Sequence, residues 1–176
     1  MLNATTEMEA INTILGAIGA DPINNMEEET DVDVANAKRM LQTTSRNIQR
    51  KGWDFNRTSY TFTPDTRTQR IRWNGAILAY EFQGGLYTVR DGCLYDMTRQ
   101  SFTFTAPVEG IVTVALDFSD LPDCFRNYIT LKTALDFQMQ YLGDANVSAV
   151  LDAQVKDAYA DLVDYDLHMG SYNMLQ

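Results

Sequence analysis

The single histidine of the chain, His168, stands beside two aspartates, Asp164 and Asp166. A histidine held by a carboxylate is a general base, and in nucleophilic catalysis it activates a serine or a cysteine. The sequence contains no G-x-S-x-G motif, which would present such a serine. The simpler interpretation places His168 near the C-terminal end of a helix, where a positive charge is favoured. We therefore expect no catalytic role for this residue.

Metal and phosphate sites are also not indicated. Cys93 and Cys124 are far apart and, with one histidine, cannot supply the usual zinc ligand sets. Residues 152–164 lack the EF-hand pattern, and Gly84-Gly85 lacks the Lys-Ser/Thr ending of a P-loop. The sequence predicts no metal and no cofactor, and it predicts that both cysteines are free thiols in a reducing compartment.

Carboxylate pairs are the remaining route to catalysis, because a glycosidase needs only two acidic side chains at a suitable separation. Glu81, Asp91 and Asp96 are the candidates in the middle of the chain. An acidic protein offers many such pairs, and nothing in the sequence separates these from solvent-facing residues. We predict that the protein is not an enzyme. The alternative is a hydrolase of capsular polysaccharide or peptidoglycan that uses such a pair.

The charge balance argues against nucleic-acid binding. The 176 residues contain 24 acidic and 14 basic side chains, for a net charge of −10. A nucleic-acid surface needs clustered lysine and arginine to neutralise phosphates. The longest uncharged run, Ala10 to Ala20, is shorter than the roughly 20 apolar residues of a membrane span. The first basic residue is Lys38, so we expect neither a membrane span nor a secretory signal.

Two charged patterns indicate surfaces. Asp157, Asp161 and Asp164 are spaced to share one helix face, although like charges at that spacing weaken a helix slightly. This face is either a solvated outer surface or a surface aimed at something that must be repelled. A second pattern alternates arginines with hydrophobic residues, near aromatic residues such as Trp73 and Tyr60. It indicates an exposed sheet face or a protein–protein contact, and its arginines are Arg67, Arg70, Arg72, Arg90 and Arg99.

Helical periodicity occupies both ends of the chain. The spacing predicts a first helix over 6–18 with a Thr6–Glu9 capping box, and a second from Thr30 or Asp31 that ends before Gly52. A third helix has Pro122 in its first turn, an apolar stripe that includes Met139 and Leu142, and an end at Gly143. A fourth runs over 146–167 and is ended by Gly170.

The middle of the chain, residues 53–119, reads as short strands separated by turns. Asn74-Gly75, Gly84-Gly85 and Asp91-Gly92 are hairpin signals. The predicted strands are 58–63, 68–73, 76–82, 86–90, 93–97, 101–105 and 111–116. We expect an α+β fold in which residues 1–52 and 120–176 form a four-helix bundle. Residues 53–119 form an antiparallel β insertion, a small sandwich or barrel, between helices two and three.

Five segments in the same order and spacing resemble the tail tubular protein A family of short-tailed phages, which forms their adaptor or gatekeeper ring. The segments are Leu121-Pro-Asp-Cys-Phe-Arg126, Lys51-Gly-Trp-Asp-Phe-Asn56, the β residues Gly85-Leu-Tyr with Leu94-Tyr-Asp96 and Ser101-Phe, Gly170-Ser-Tyr-Asn-Met-Leu175, and Ala35-Asn-Ala-Lys-Arg39. The resemblance extends from Glu9 to Leu175. The chain stops at Gln176, whereas relatives can carry a longer tail.

The resemblance implies a structural protein of the virion tail, assembled in the cytoplasm of the host bacterium. In this family twelve copies form a ring between the portal protein and the tail nozzle, tail tubular protein B. Tail fibres dock close to that junction, and DNA passes through the ring without specific binding. An acidic lining would repel DNA within a Debye length of about 8 Å at physiological salt.

Two sets of residues follow as site predictions. Trp53 and Phe55 are expected at the junction between the helical and β regions, against Phe125 and Arg126 of the third helix, because large aromatic side chains bury apolar area from both sides of such a seam. The candidates for residues that face the channel of a ring are Asp152, Asp157, Asp161 and Asp164.

Overall fold

The computed structural model describes residues 5–25 and 31–173, with side chains through residue 170. In chain order its elements are α1 (Glu7–Gly16), α2 (Val32–Gln49), β1 (Arg57–Phe62), β2 (Ile77–Phe82), β3 (Tyr87–Arg90), β4 (Cys93–Asp96), β5 (Val108–Val114), the short 3-10 helix Phe118–Asp120, α3 (Asp123–Tyr141) and α4 (Ala145–Asn173). Helices at both ends and antiparallel strands between them confirm the α+β fold. The possible start of the second helix at Thr30 lies outside the described residues.

The chain divides into two compact units. One, the helical unit, comprises residues 1–48 and 116–176, and the other, the β unit, comprises residues 49–115. Each unit has its own buried side chains, so each is described by itself below.

The helical unit is built around α3, which packs against both α1 and α4. In α1 the predicted capping box is confirmed. The Thr6 N–H donates to the Glu9 carboxylate at 2.8 Å, and the Glu9 N–H donates to the Thr6 hydroxyl at 3.2 Å. The buried side chains of the described residues include Ile11, Ile14, Leu41, Phe125, Ile129, Phe137 and Leu162.

The apolar stripe predicted for α3 is wrong in its last turn. Met139 is 60% exposed and Leu142 is 55% exposed, whereas Phe137 and the polar Gln138 are fully buried. The Gln138 amide donates to the Asp144 carbonyl at 2.9 Å and accepts from the Ser148 hydroxyl at 2.6 Å. Burial depends on position along the helix axis as well as on the face, and a satisfied amide can replace an apolar side chain.

Two predicted helix ends also differ from the structure. Gly170 does not end α4, which continues to Asn173. A glycine inside a helix costs only about 1 kcal/mol relative to alanine, so it need not terminate one. Pro122 is the N-cap of α3 rather than a residue of its first turn.

The β unit contains two small antiparallel sheets that share one core. The first has the strand order β1-β5-β2, and the second is the β3-β4 hairpin. Their common core comprises Phe62, Ile71, Ile77, Leu94, Phe104, Val108 and Val112. The hairpin turns at Asp91-Gly92, where both residues have positive φ, as the sequence predicted.

Residues 68–73 and 101–105 were predicted as strands but make only single β-bridges. The Asp65 carboxylate accepts the backbone N–H groups of Arg67 and Thr68, which holds the chain in a turn through the positive-φ residue Gln69. Arg72 then bridges to Cys93, and Ser101 bridges to Asp96. A side chain that accepts hydrogen bonds from backbone N–H groups competes with strand pairing. The alternation of apolar and polar residues in the sequence does not reveal this competition.

A close approach explains the glycine at the centre of β5. A Cβ atom on Gly110 would lie 2.8 Å from the backbone oxygen of Glu81 and 2.9 Å from the ring of Phe82. The backbone oxygen cannot move without disturbing the β2–β5 pairing. Gly110 therefore lets the Phe82 ring lie close to the middle of the sheet.

Candidate functional site

The three carboxylates considered for catalysis have different structural environments. Asp96 is buried, and its Oδ1 accepts the backbone N–H groups of Thr98 and Arg99 at 2.9 Å each. Glu81 pairs with Arg57 at 2.8 Å, and Asp91 occupies the tight β3-β4 turn. The Asp96 carboxylate therefore holds the backbone donors of its turn and acts in local structure.

A cavity of about 370 Å³ lies beside Asp96. Tyr87 and Phe104 form part of its wall, and the Arg99 Nε atom lies 3.9 Å from Asp96 Oδ2. Asp96 is the one carboxylate among the lining residues, all of which belong to the described stretch 84–108. This cavity therefore does not contain the carboxylate pair on which the hydrolase alternative depends.

His168 lies on the exposed surface of α4. Its Nδ1 atom is 2.6 Å from the backbone oxygen of Asp164, one helical turn earlier, rather than in an ion pair with a carboxylate. No group of three or more histidine, cysteine or acidic residues able to hold a metal ion occurs within the described residues. Cys93 and Cys124 are free thiols, as the sequence predicted.

The segment after α2 is organised by Asn56, the last residue of the motif Lys51-Gly-Trp-Asp-Phe-Asn56. The buried Asn56 amide donates to the carbonyl of Gln49 at 3.0 Å and to that of Val114 at 3.1 Å. Its oxygen accepts the Trp53 N–H at 2.9 Å. One side chain thus joins the end of α2, the following turn and the end of β5.

Trp53 and Phe55 lie in that turn, and both are half-buried. Their expected contact with Phe125 and Arg126 joins the two units and stays a prediction. Within the helical unit Phe125 is fully buried, with its ring centroid 6.3 Å from that of Tyr165.

Arg126 ties together the starts of α1 and α3. Its guanidinium donates to the carbonyl of Thr5 at 3.3 Å and lies 3.7 Å from the Asp123 carboxylate, which accepts the Thr5 N–H at 3.2 Å. These contacts give Arg126 a role inside the helical unit, in addition to the junction role that the sequence suggested.

Four of the five aspartates of α4 fall into two groups. Asp152 pairs with Lys156 at 2.6 Å, and this carboxylate raises the lysine pKa. Asp157, Asp161 and Asp164 are exposed and form no ion pair among the described residues. We call these three residues the acidic row. The lumen assignment of all four aspartates is not tested by a single chain and stays a prediction.

Cys124, at the start of α3, lies close enough to Asp161 of the acidic row for that carboxylate to affect the pKa of its thiol. Burial raises the pKa of the Cys124 thiol, and the carboxylates of Asp123 and Asp161 raise it further. A thiol with a raised pKa is less often a thiolate at neutral pH, so Cys124 is not an activated nucleophile.

Three of the seven arginines of the β unit form an ordered surface that includes the β3-β4 hairpin. The Arg90 guanidinium lies 4.3 Å from the ring centroid of Tyr95, and that of Arg70 lies 5.1 Å from the centroid of Phe102. The two rings contact each other edge to face at 4.8 Å. Arg72 stands in the same row as Arg90, because both pair across strands with Cys93. We call these three arginines and two rings the arginine ladder.

The aromatic partners in this surface differ from those expected. Trp73 and Tyr60 lie in a separate string of rings, where Trp73 stacks on Phe62 at 5.5 Å and Tyr60 meets Phe62 edge to face at 4.6 Å. The alternation of arginines was visible in the sequence. Its pairing with Tyr95 and Phe102 depends on the hairpin register, which the sequence pattern alone does not give.

Similarity to a known family identifies the class of the protein. The sequence model of the tail tubular protein family matches residues 8–172. The chain therefore belongs to the tail tubular protein family and is a structural component of a phage tail, located in the virion.

One relative within this class has a more specific name. The chain is 28% identical over 159 residues to tail tubular protein A of Klebsiella phage KP34, and the alignment covers 89% of this chain and 84% of that relative. Among the helices of the described residues, none has the length and apolar character that a membrane span requires.

Proposed function

We propose that the protein is the tail adaptor ring of a short-tailed phage, which joins the portal to the tail nozzle and forms part of the conduit for DNA. The observation that carries this proposal is the family match over residues 8–172. The expected assembly is a ring of twelve copies that contacts the portal protein on one side and tail tubular protein B on the other. Tail fibres are a further candidate partner.

The distribution of charge between the units supports a role in assembly around DNA. The helical unit contains 18 acidic and 6 basic residues, for −12, whereas the β unit contains 6 acidic and 8 basic residues, for +2. A conduit for DNA needs walls that do not hold phosphates, and carboxylates repel them. The strongly acidic helical unit is therefore the part suited to lie near the channel.

Three placements are open for the acidic row in such a ring. It can line the channel with Asp152, lie on the solvated outer surface, or face a neighbouring copy. Lys156 neutralises Asp152, so the three unpaired carboxylates carry most of the free charge of this face. All three placements are compatible with the adaptor function.

Electron microscopy tests the proposal directly. The purified protein should be imaged alone and after incubation with the portal protein of the same phage. We expect rings with a central hole, bound coaxially to the portal. A chain that stays monomeric in both conditions would contradict the adaptor assignment.

A further inference from the structure

We infer that the arginine ladder of one copy binds the acidic row on α4 of the neighbouring copy, so that the ring closes through a contact between two different surfaces. This inference rests on the proposed ring. The two surfaces are defined above by Arg70, Arg72 and Arg90 with their rings, and by Asp157, Asp161 and Asp164.

Both surfaces are available in a single chain. All three arginines and all three aspartates are exposed, and none of the six forms an ion pair within the described residues. The Arg72 guanidinium lowers the pKa of Asp65, but it is the smallest of the causes. The charges of both surfaces are therefore not neutralised by ion pairs within the described part of the chain.

The arginine ladder is preorganised to bind carboxylates. A guanidinium stacked on an aromatic face loses little rotamer freedom when it binds, and its N–H edges stay free for a bidentate pair. Arg90 and Arg70 are held in this way by Tyr95 and Phe102. An isolated surface ion pair contributes little, but several pairs with fixed partners form a network.

The spacings of the two surfaces match. Arg72 and Arg90 are separated by two inter-strand steps through Cys93, about 10 Å between their Cα atoms. Asp157 and Asp164 are seven residues apart on α4, about 10 Å along the helix axis. Asp161 then lies between them, facing the position of Cys93. Two ion pairs, one at each end of the row, can therefore form at the same time.

The contact would be heterologous, because it joins the β unit of one copy to the helical unit of the next. Repeated heterologous contacts close into a ring when the rotation between neighbours permits it. DNA phosphates are a less suitable occupant of the ladder. Three arginines offer few phosphate contacts, and the net charge of −10 repels a polyanion.

Charge reversal tests the contact. Arg72→Glu with Arg90→Glu places carboxylates opposite the acidic row, and Asp157→Lys with Asp164→Lys places ammonium groups opposite the ladder. Each double variant should raise the dissociation constant for self-association by at least about tenfold, measured by analytical ultracentrifugation, because like charges repel across an interface. Circular dichroism and thermal unfolding establish that each variant is folded.

The most specific prediction is that mixing the two double variants restores ring assembly. A 1:1 mixture of the two double variants should assemble within about threefold of the wild type, because every contact in an alternating ring again pairs opposite charges. The fourfold variant, with both changes in one chain, should also assemble. Arg67→Glu, in the Asp65 turn, and Asp120→Lys, in the 3-10 helix, are the matched controls and should leave assembly unchanged.

Cross-linking between copies tests the same contact independently of the charge-reversal variants. In a Cys124→Ala background, Asp161→Cys should be joined to the native Cys93 of another copy by a short bis-maleimide cross-linker. Gln42→Cys, exposed on α2 rather than on α4, should not. Products that form only within one chain, at a yield independent of protein concentration, would overturn the inference.

The outcomes separate this inference from the adaptor function. If the wild type forms rings with the portal and the reversed variants do so equally well, the ladder contact is wrong and the adaptor survives. If Arg72→Glu with Arg90→Glu abolishes binding of a labelled DNA duplex without affecting assembly, the ladder is a DNA contact and the inference is also wrong. If the wild type forms no ring under any condition, the adaptor assignment itself fails.

Discussion

Asn56 shows how one side chain can define a junction. Its amide satisfies two carbonyls, from Gln49 and Val114, while its oxygen accepts the Trp53 N–H. These three backbone groups belong to a helix end, a turn and a strand end. Aspartate, leucine or alanine could not supply the same two donors and one acceptor.

Asn56→Ala should lower the free energy of unfolding by roughly 2–4 kcal/mol, because it leaves three backbone groups without their partner in a buried place. Urea unfolding followed by circular dichroism measures this change. Asn74→Ala is the matched control, since the exposed Asn74 side chain accepts a single N–H, from Ala76. The control should cost less than about 1 kcal/mol. Equal effects of the two changes would contradict the role given to Asn56.

Gly110→Ala should destabilise the β unit through a clash rather than through lost contacts. The new methyl group would meet the Glu81 carbonyl and the Phe82 ring inside normal contact distance. We expect a loss of about 1–3 kcal/mol in the free energy of unfolding. Gly75→Ala, where a Cβ meets no atom within 4 Å, is the comparison and should have a smaller effect. A fully stable Gly110→Ala protein would show that the sheet can relax around a side chain.

At the scale of the elements, helices were read more reliably than strands. Capping residues such as Thr6 and turn residues such as Gly143 mark helix ends locally, and the structure has a positive φ at Gly143. The failed strands at 68–73 and 101–105 have the composition of strands, but Asp65 and Ser101 bond to nearby backbone N–H groups. A sequence pattern cannot show whether such a segment pairs as a strand or keeps its local hydrogen bonds. The outcome depends on the strands available for pairing, which are distant in the chain.

The capping box of α1 gives a prediction about pH. The N–H and hydroxyl groups of Thr6 donate to the Glu9 carboxylate and hold its pKa below the ordinary value of 4.5. A depressed folded-state pKa contributes stability above the unfolded-state pKa, and this contribution disappears as pH falls through the folded-state pKa. The stability supplied by the box should therefore be present at neutral pH and lost as pH falls from 4.5 through the lowered folded-state pKa of Glu9.

Thr6→Ala checks this reasoning by NMR titration. Loss of the hydroxyl should raise the Glu9 pKa part of the way to its ordinary value, while the backbone N–H retains the rest. The variant should lose about 1 kcal/mol of unfolding free energy at neutral pH. Thr43→Ala, in the body of α2, serves as the control because its hydroxyl contacts only the Arg39 carbonyl. An unchanged Glu9 pKa would show that the box does not persist in solution.

At the scale of the whole molecule, the sequence shows that the protein is acidic. It does not show how the net charge is divided between the helical unit and the β unit. The difference between −12 in the helical unit and +2 in the β unit follows only when the unit boundaries are known. The acidic row could be read from its spacing on α4. The arginine ladder could not, because it requires the register that brings Arg72, Cys93 and Arg90 into one row.

The divided charge predicts that the intact protein does not hold DNA at physiological salt, although it carries an ordered arginine surface. Three arginines that neutralise three phosphates give a salt dependence with a slope of only about −3, far weaker than that of proteins that make many phosphate contacts. The −12 of the helical unit opposes even this binding. Fluorescence anisotropy of a labelled duplex should therefore show no binding at micromolar protein, and weak binding at low salt that Arg72→Glu with Arg90→Glu removes. Micromolar binding at physiological salt would mean that the protein grips DNA rather than letting it pass.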